Sequence, residues 1–288
     1  MTNLIVIAVL QTLLIEPQVV YSTTIATIPS LPVAQGQVVV LPLSRDACRG
    51  VIRVREQEYR CRPDNKVIIG MPMDITPRVY EVTTSDGVLV ASLDVSPTRW
   101  QRDQRRAGGV GKPAPADVLK RDRAAKNAAF TAHLEPKLAT YHLTAPLQHP
   151  LQTAYRISDP FGIQRFYGAS TTPTIHGGVD MAAPESGTWQ RAPPVAHSMA
   201  SGIVVLAASL WAEGNMVIVY HGDSIYTAYL HLKSISVKMG DKVTAGRPLG
   251  IVGSTGHSSG AHLHLIFRIH GTPVDPLMAL SILNEQLK

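Results

Sequence analysis

Short apolar runs rich in β-branched residues recur along the chain, each closed within a few positions by glycine, proline, asparagine or aspartate. Such runs are too brief for packed helices and have the length and composition of strands. Four of them, at residues 38–41, 66–69, 79–82 and 88–90, predict a small β-sandwich of immunoglobulin-like type over residues 30–98. A second set, at 202–205, 216–220, 226–229, 249–252 and 262–267, predicts an antiparallel β domain over residues 146–288. Between them, Gly108-Gly109, Gly111-Lys112-Pro113 and Pro115 mark a linker at 99–115. Residues 117–134 have no internal Gly or Pro and read as one helix, stopped near Pro136. The fold class is therefore mainly β, with a basic linker and helix at 99–145.

Charge follows the same division. The net charge of the chain is +6, and residues 99–126 carry nine basic and three acidic side chains, which accounts for all of it. One basic segment suits contact with an anionic surface or a solvated linker, not a whole-protein polyanion binder. With four Phe and three Trp, and no helix-turn-helix pattern, a nucleic-acid partner is excluded.

Residues 4–15 are apolar except for Gln11 and Thr12. Spanning a bilayer takes about 20 apolar residues, so this run suits a signal-peptide core, with residues 1–22 removed after Ser22. No Lys or Arg precedes Arg45, so the usual basic start is missing. Cys48 and Cys61 flank a predicted hairpin at 51–60, and an even cysteine pair in an exported chain usually closes. Export to the periplasm or cell envelope is the expectation.

The chemistry lies in the histidines. His262-Leu263-His264 sits in an apolar β run, so both imidazoles point to one sheet face. Alone, the pair is compatible with surface or hydrogen-bonded core histidines as well as with metal ligands. His176-Gly177-Gly178-Val179-Asp180 places a second His and an Asp on extended or bulged backbone, and Tyr229-Leu230-His231 ends a strand with a third. Together these pieces hold four His and one Asp, enough for three zinc ligands and two imidazoles free for proton transfer. No His-Glu-x-x-His sequence occurs, which excludes the helical zinc-protease site.

His176-Gly-Gly-Val-Asp180, Tyr229-Leu-His231-Leu and the stretch Gly253 to His264 resemble the three signatures of the lysostaphin/LytM-type zinc metallopeptidases. Asp159-Pro-Phe-Gly162, the stretch Gly214 to Gly222 and Val274-Asp-Pro276 fall in the same order. The likeness runs from about Ser158 to Leu277, and the preceding sandwich resembles one found before some envelope members of the family. The resemblance implies the family's antiparallel catalytic domain, of duplicated hybrid motif type. It also implies one Zn2+ held by His176, Asp180 and His264. His262 would then be the general base for a zinc-bound water attacking the scissile carbonyl, with His231 orienting that water and stabilising the oxyanion.

The activity implied by the resemblance is that of a zinc endopeptidase cutting peptide stems or cross-links of peptidoglycan. The competing expectation is a non-catalytic envelope regulator that activates a cell-wall amidase. The chain departs from the family pattern at residues 185–193, an insertion whose Trp189 is placed to pack against a glycan or peptide. His257 is expected at the groove rim. The amino-terminal sandwich or the 117–134 helix is expected to gate the groove.

Overall fold

A computed structural model describes residues 28–105, 114–132, 142–185, 187, 189 and 192–287. The expected leader lies outside these residues, as does the expected helix end at Leu134. The first set of runs folds into β1 (Ser30–Ala34), β2 (Val38–Pro42), β3 (Val51–Val54), β4 (Gln57–Arg60), β5 (Lys66–Gly70), β6 (Val79–Thr84) and β7 (Leu89–Ser96). Five of these strands pair in the order β1-β7-β6-β3-β4, while β2 and β5 form a separate antiparallel ribbon over them. Cys48 and Cys61 are joined in a disulfide at the base of the β3–β4 hairpin, with Cα atoms 5.4 Å apart.

The ribbon explains why Val38-Val39-Val40-Leu41 is apolar without a break. Successive strand residues face opposite sides. Val39, Leu41, Val67 and Ile69 pack into the core of the five-stranded sheet. Val38, Val40 and Ile68 belong instead to the large core of the second domain. A strand buried on both faces reads as a continuous hydrophobic run. The two modules thus share a layer. Asp223 reinforces the joint, accepting from Arg62 of the sandwich, from the Leu143 amide and from His142 Nδ1.

Part of the expected linker is strand. β8 (Arg102–Arg105) pairs in parallel with a strand of the second domain, and Trp100 packs against Phe161 with ring centroids 5.9 Å apart. The basic side chains here are partly used inside the molecule, Arg105 pairing with Asp159 at 2.7 Å. This is why a charge count overstated what is left for an anionic surface. The helix is α1 (Ala116–Phe130).

The second domain continues with β9 (Arg156–Asp159), β10 (Gln164–Tyr167), β11 (Thr174–Ile175), β12 (Val179–Ala182), β13 (Val195–His197) and β14 (Gly202–Leu210). It closes with β15 (Gly214–Gly222), β16 (Ile225–Leu232), β17 (Ser234–Ile235), β18 (Lys242–Val243), β19 (Pro248–Ile251), β20 (His262–Ile269), β21 (Thr272–Val274) and α2 (Pro276–Gln286). The main sheet runs β18-β14-β15-β16-β20-β12-β9, with antiparallel neighbours throughout and β21 on β20. The Asp275 carboxylate caps α2 by accepting from the amides of Leu277 and Met278, with Pro276 at the first position, where no amide is needed.

The two faces of this sheet do different work. Leu263, Leu265, Phe267 and Ile269 of β20 face the shared core. The alternate residues His262, His264, Ile266 and Arg268 face the other side, where α1 packs through Ala125, Ala129 and Phe130. Trp189 of the insertion is buried, at 6% exposure, in the shared core. The expectation that it packs against substrate is therefore corrected: a large apolar ring found more area to bury in the core than at a groove edge.

Because the ribbon lines two cores, the sandwich and the second domain should unfold together. Calorimetry is expected to show one transition, and Ile68→Ala should lower stability by about 2–5 kcal/mol. Two separated transitions would contradict a shared layer. A second expectation concerns pH. Burial of His221 pushes its imidazole down to about 4 from 6.5, against a bond to the Ser201 carbonyl. A neutral buried His stabilises the fold above the unfolded value, and that contribution is lost as pH falls from about 6.5 toward about 4. The denaturation midpoint should drop over that window, and His221→Gln should remove this part of the drop.

Candidate metal centre

Three elements bring the site together. Asp180 on β12 lies opposite His264 on β20, and Leu230 of β16 lies opposite His264 on its other flank. His176 precedes β12 by a two-glycine step. Gly178 has to be glycine: a Cβ there would stand 2.4 Å from the Leu265 carbonyl oxygen and 2.9 Å from His264 Nε2. The chain needs that closeness to bring His176 over the sheet.

Strand alternation alone would aim His231 at the shared core, beside Tyr229. The structure turns it the other way. Two residues of β16, Leu230 and His231, stand against the single Met216 of β15, a β-bulge, and His231 has φ 62°. Its ring comes to lie with its centroid 4.8 Å from that of His262 and 6.0 Å from that of His264. Left-handed backbone in a non-glycine residue is strain of the kind that collects at functional sites. The His231 amide donates to the Glu213 carbonyl and Thr255 Oγ1 accepts from the Asn215 amide, which fixes the bulge to the β14–β15 turn.

His176, Asp180 and His264 each offer one ligand atom to a common point, all within 4.8 Å of one another. His264 Nδ1 is 2.7 Å from Asp180 Oδ1 and 2.9 Å from His176 Nε2, and the latter is 3.2 Å from Asp180 Oδ1. Two imidazole nitrogens and one carboxylate oxygen form a donor set that fits a divalent transition metal. The tautomer fits as well. His176 Nδ1 donates to the Pro160 carbonyl at 3.0 Å, which leaves the Nε2 lone pair facing the centre.

Electrostatics keep the donors in their binding forms. Burial works against the Asp180 charge, yet the His176 and His264 rings beside it outweigh burial and hold the carboxyl well below the usual carboxylate range. Burial also lowers His264 despite the opposing pull of Asp180. For His231 burial is again the larger effect, and with His262 and His264 nearby it pushes the imidazole down to about 4 although the Thr255 carbonyl opposes this. His231 is thus neutral near pH 7.

His262 and His231 are oriented alike. His262 Nδ1 donates to the Gly260 carbonyl at 2.8 Å and His231 Nδ1 to the Thr255 carbonyl at 2.8 Å. A carbonyl can only accept, so in both rings Nε2 carries the free lone pair. His262 Nε2 lies 3.7 Å from Asp180 Oδ1. All five residues singled out from the sequence therefore meet at one place. His257 is exposed, with its ring 4.3 Å from that of Trp211.

Sequence reasoning missed the charges behind Asp180. Arg165 Nη2 donates to Asp180 Oδ2 at 3.2 Å and to Asp159 Oδ2 at 2.6 Å, while Arg105 binds both oxygens of Asp159. One available signal was the pairing itself: Asp159 and Asp180 sit opposite each other on β9 and β12, and two facing carboxylates need a cation between them. Arg165 holds Oδ2 and leaves Oδ1 to the centre. Arg165→Met should therefore weaken metal retention, by about 10–100-fold in affinity for a group supporting a ligand. Asp180→Ala should abolish it. Metal content after dialysis against graded chelator checks both, and equal retention by Arg165→Met and wild type would refute the assignment.

Comparison with known proteins agrees with this geometry. Residues 174–276 match the model of peptidase family M23. The chain is 36% identical over 132 residues to the peptidoglycan DD-endopeptidase ShyA of Vibrio cholerae, covering 46% of this chain and 29% of that protein. It is 41% identical over 122 residues to the DD-carboxypeptidase/endopeptidase Mpg of Neisseria meningitidis, covering 42% of this chain and 26% of that one. The chain thus spans under a third of the length of these relatives. A crystal structure described as a peptidase M23 from Pseudomonas aeruginosa aligns over 86% of this chain and 94% of its own, with TM-score 0.58 and 22% identity, which shows a common fold.

Proposed function

Residues 174–276 are a peptidase family M23 domain, and from that premise we propose that the chain is a zinc-dependent endopeptidase that hydrolyses peptide stems or cross-links of peptidoglycan. The observation that carries the reading is the complete site: three converging donors with two further imidazoles beside them, each bonded to a carbonyl through Nδ1 and left with a free Nε2. The similarity to relatives named peptidoglycan DD-endopeptidases supports the substrate class. The complete donor set weighs against the regulator reading.

Zinc, when held by His176, Asp180 and His264, supplies Lewis acidity and makes a water molecule acidic enough to act as a nucleophile near neutral pH. The chain's own residues do the rest. His262 Nε2, nearer Asp180, accepts the proton of the attacking water and returns it to the leaving amine. His231 Nε2 is also an acceptor in its neutral form, so it orients the water by accepting from it. It becomes a donor toward an oxyanion only after it has taken a proton, which refines the role expected from the sequence. Burial of His231, Asp180 and His176 excludes bulk water from this step.

Export to the cell envelope belongs to the same proposal, supported by the closed Cys48–Cys61 bond, which persists in oxidising compartments. We read the amino-terminal region as a fixed support for the catalytic sheet rather than a displaceable cover, because its ribbon lines the shared core. If deletion of residues up to 141 left a stable and equally active domain, that support would be refuted.

Purified sacculi incubated with the zinc-loaded protein and analysed by mass spectrometry test the function. Cross-linked dimers should fall to monomers with the wild type and persist with His264→Ala. His231→Ala and His262→Ala should each lower turnover by about 10²–10⁴-fold with zinc content unchanged. A folded, zinc-loaded wild type that releases nothing would contradict the proposal.

A further inference from the structure

A second feature shares the sheet face of the metal centre. Ile266 follows His264 by two residues on the same face, and Leu230 lies directly opposite His264. These two side chains form the floor of a cavity of about 300 Å³ that α1 roofs with Phe130. Its charged lining is unbalanced. Among the described residues, Arg123, Lys126 and Arg268 enter it against one carboxylate, that of Glu213, which is already paired with Lys126.

Arg268 is the unusual member. Its guanidinium lies over the Phe130 ring, 4.4 Å from the centroid, and its buried Nε has no hydrogen-bond partner among the described residues. Burial alone works against its charge, and no described carboxylate pairs with it to offset this. A partly buried guanidinium with no counter-charge among the described residues costs stability, which a carboxylate brought in by a ligand would offset. Arg123 stands exposed on α1 at the mouth, also without a described acidic partner.

We propose that this cavity is a substrate subsite for a carboxylate, the free carboxylate of the peptide strand that lies along the groove beyond the cleaved bond. This rests on the endopeptidase reading above. Arg268 supplies the planar donors, Arg123 closes over the group from the rim, and the apolar floor takes the aliphatic part of the same residue. Arg268 lies four residues along the strand from His264, about 14 Å, the reach of about four residues of extended peptide. The helix α1 is then part of the substrate site, and it sets which stem peptides the enzyme accepts.

The test uses the full-length zinc-loaded protein with two soluble probes: a cross-linked stem-peptide dimer with free carboxylates, and the same dimer with those carboxylates amidated. Binding by calorimetry and kcat/KM are measured for each. The free acid should be favoured by about tenfold or more, as a charge-assisted bond to a guanidinium implies. In Arg268→Gln and in Arg123→Gln that ratio should fall toward one. The ratio is insensitive to a general loss of activity, and Arg123→Gln on the exposed rim keeps the test valid if Arg268→Gln does not fold. Cleavage with equal preference for acid and amide overturns the subsite and leaves the endopeptidase reading standing. Preferential binding of the acid without cleavage sustains the subsite and overturns the endopeptidase reading. No binding and no cleavage of either probe overturns both.

Discussion

The Asp180 carboxylate is the charge around which the main sheet of the second domain is organised. It is 7% exposed, and a buried carboxylate persists only when paired and hydrogen-bonded. His264 and His176 meet one of its oxygens and Arg165 the other. Arg165 in turn depends on Asp159, and Asp159 on Arg105 of β8. The strand inserted from the supposed linker is therefore the outer end of a line of alternating charges that begins at Asp180, a proposed metal ligand. Local electrostatics at the site and the docking of a distant segment are one arrangement.

Strand alternation divides the labour on either side. On β20 the odd residues 263 to 269 fill the shared core, and the even residues carry first the two histidines, then Ile266 and Arg268. The chemistry and the proposed carboxylate subsite are successive stations on one face of one strand. The opposite face is welded, through the Val38, Val40 and Ile68 side of the ribbon, to the sandwich. A rigid backing of this kind suits a site whose donors must be held in fixed geometry.

Much of this was legible in the sequence, for definable reasons. His262 and His264 could be placed on one face because the strand period is two and the run around them is apolar. Strands β2, β5, β15, β16 and β20 matched their runs because β-branched residues between turn formers leave little choice of structure. The hidden parts were those that depend on partners far away in the chain. His231 faces the site only because of a bulge opposite Met216, which no local pattern encodes. β8 looked like a linker because its residues, Arg102 to Arg105, are polar, and its pairing with β10 comes from Asp159 and backbone bonds. Trp189 looked like a surface ring because it sits in an insertion among polar residues, yet it is core.

The proposed chemistry stands or falls with one zinc ion held by His176, Asp180 and His264, with His231 and His262 facing it. Diffraction from crystals of the protein, recorded on both sides of the zinc absorption edge, would locate that ion. One anomalous peak per chain is expected, bounded by His176 Nε2, Asp180 Oδ1 and His264 Nδ1, with both remaining Nε2 atoms turned toward it. A zinc-supplemented crystal with no peak there, or with zinc bound through His231 or His262 instead, would rule the arrangement out.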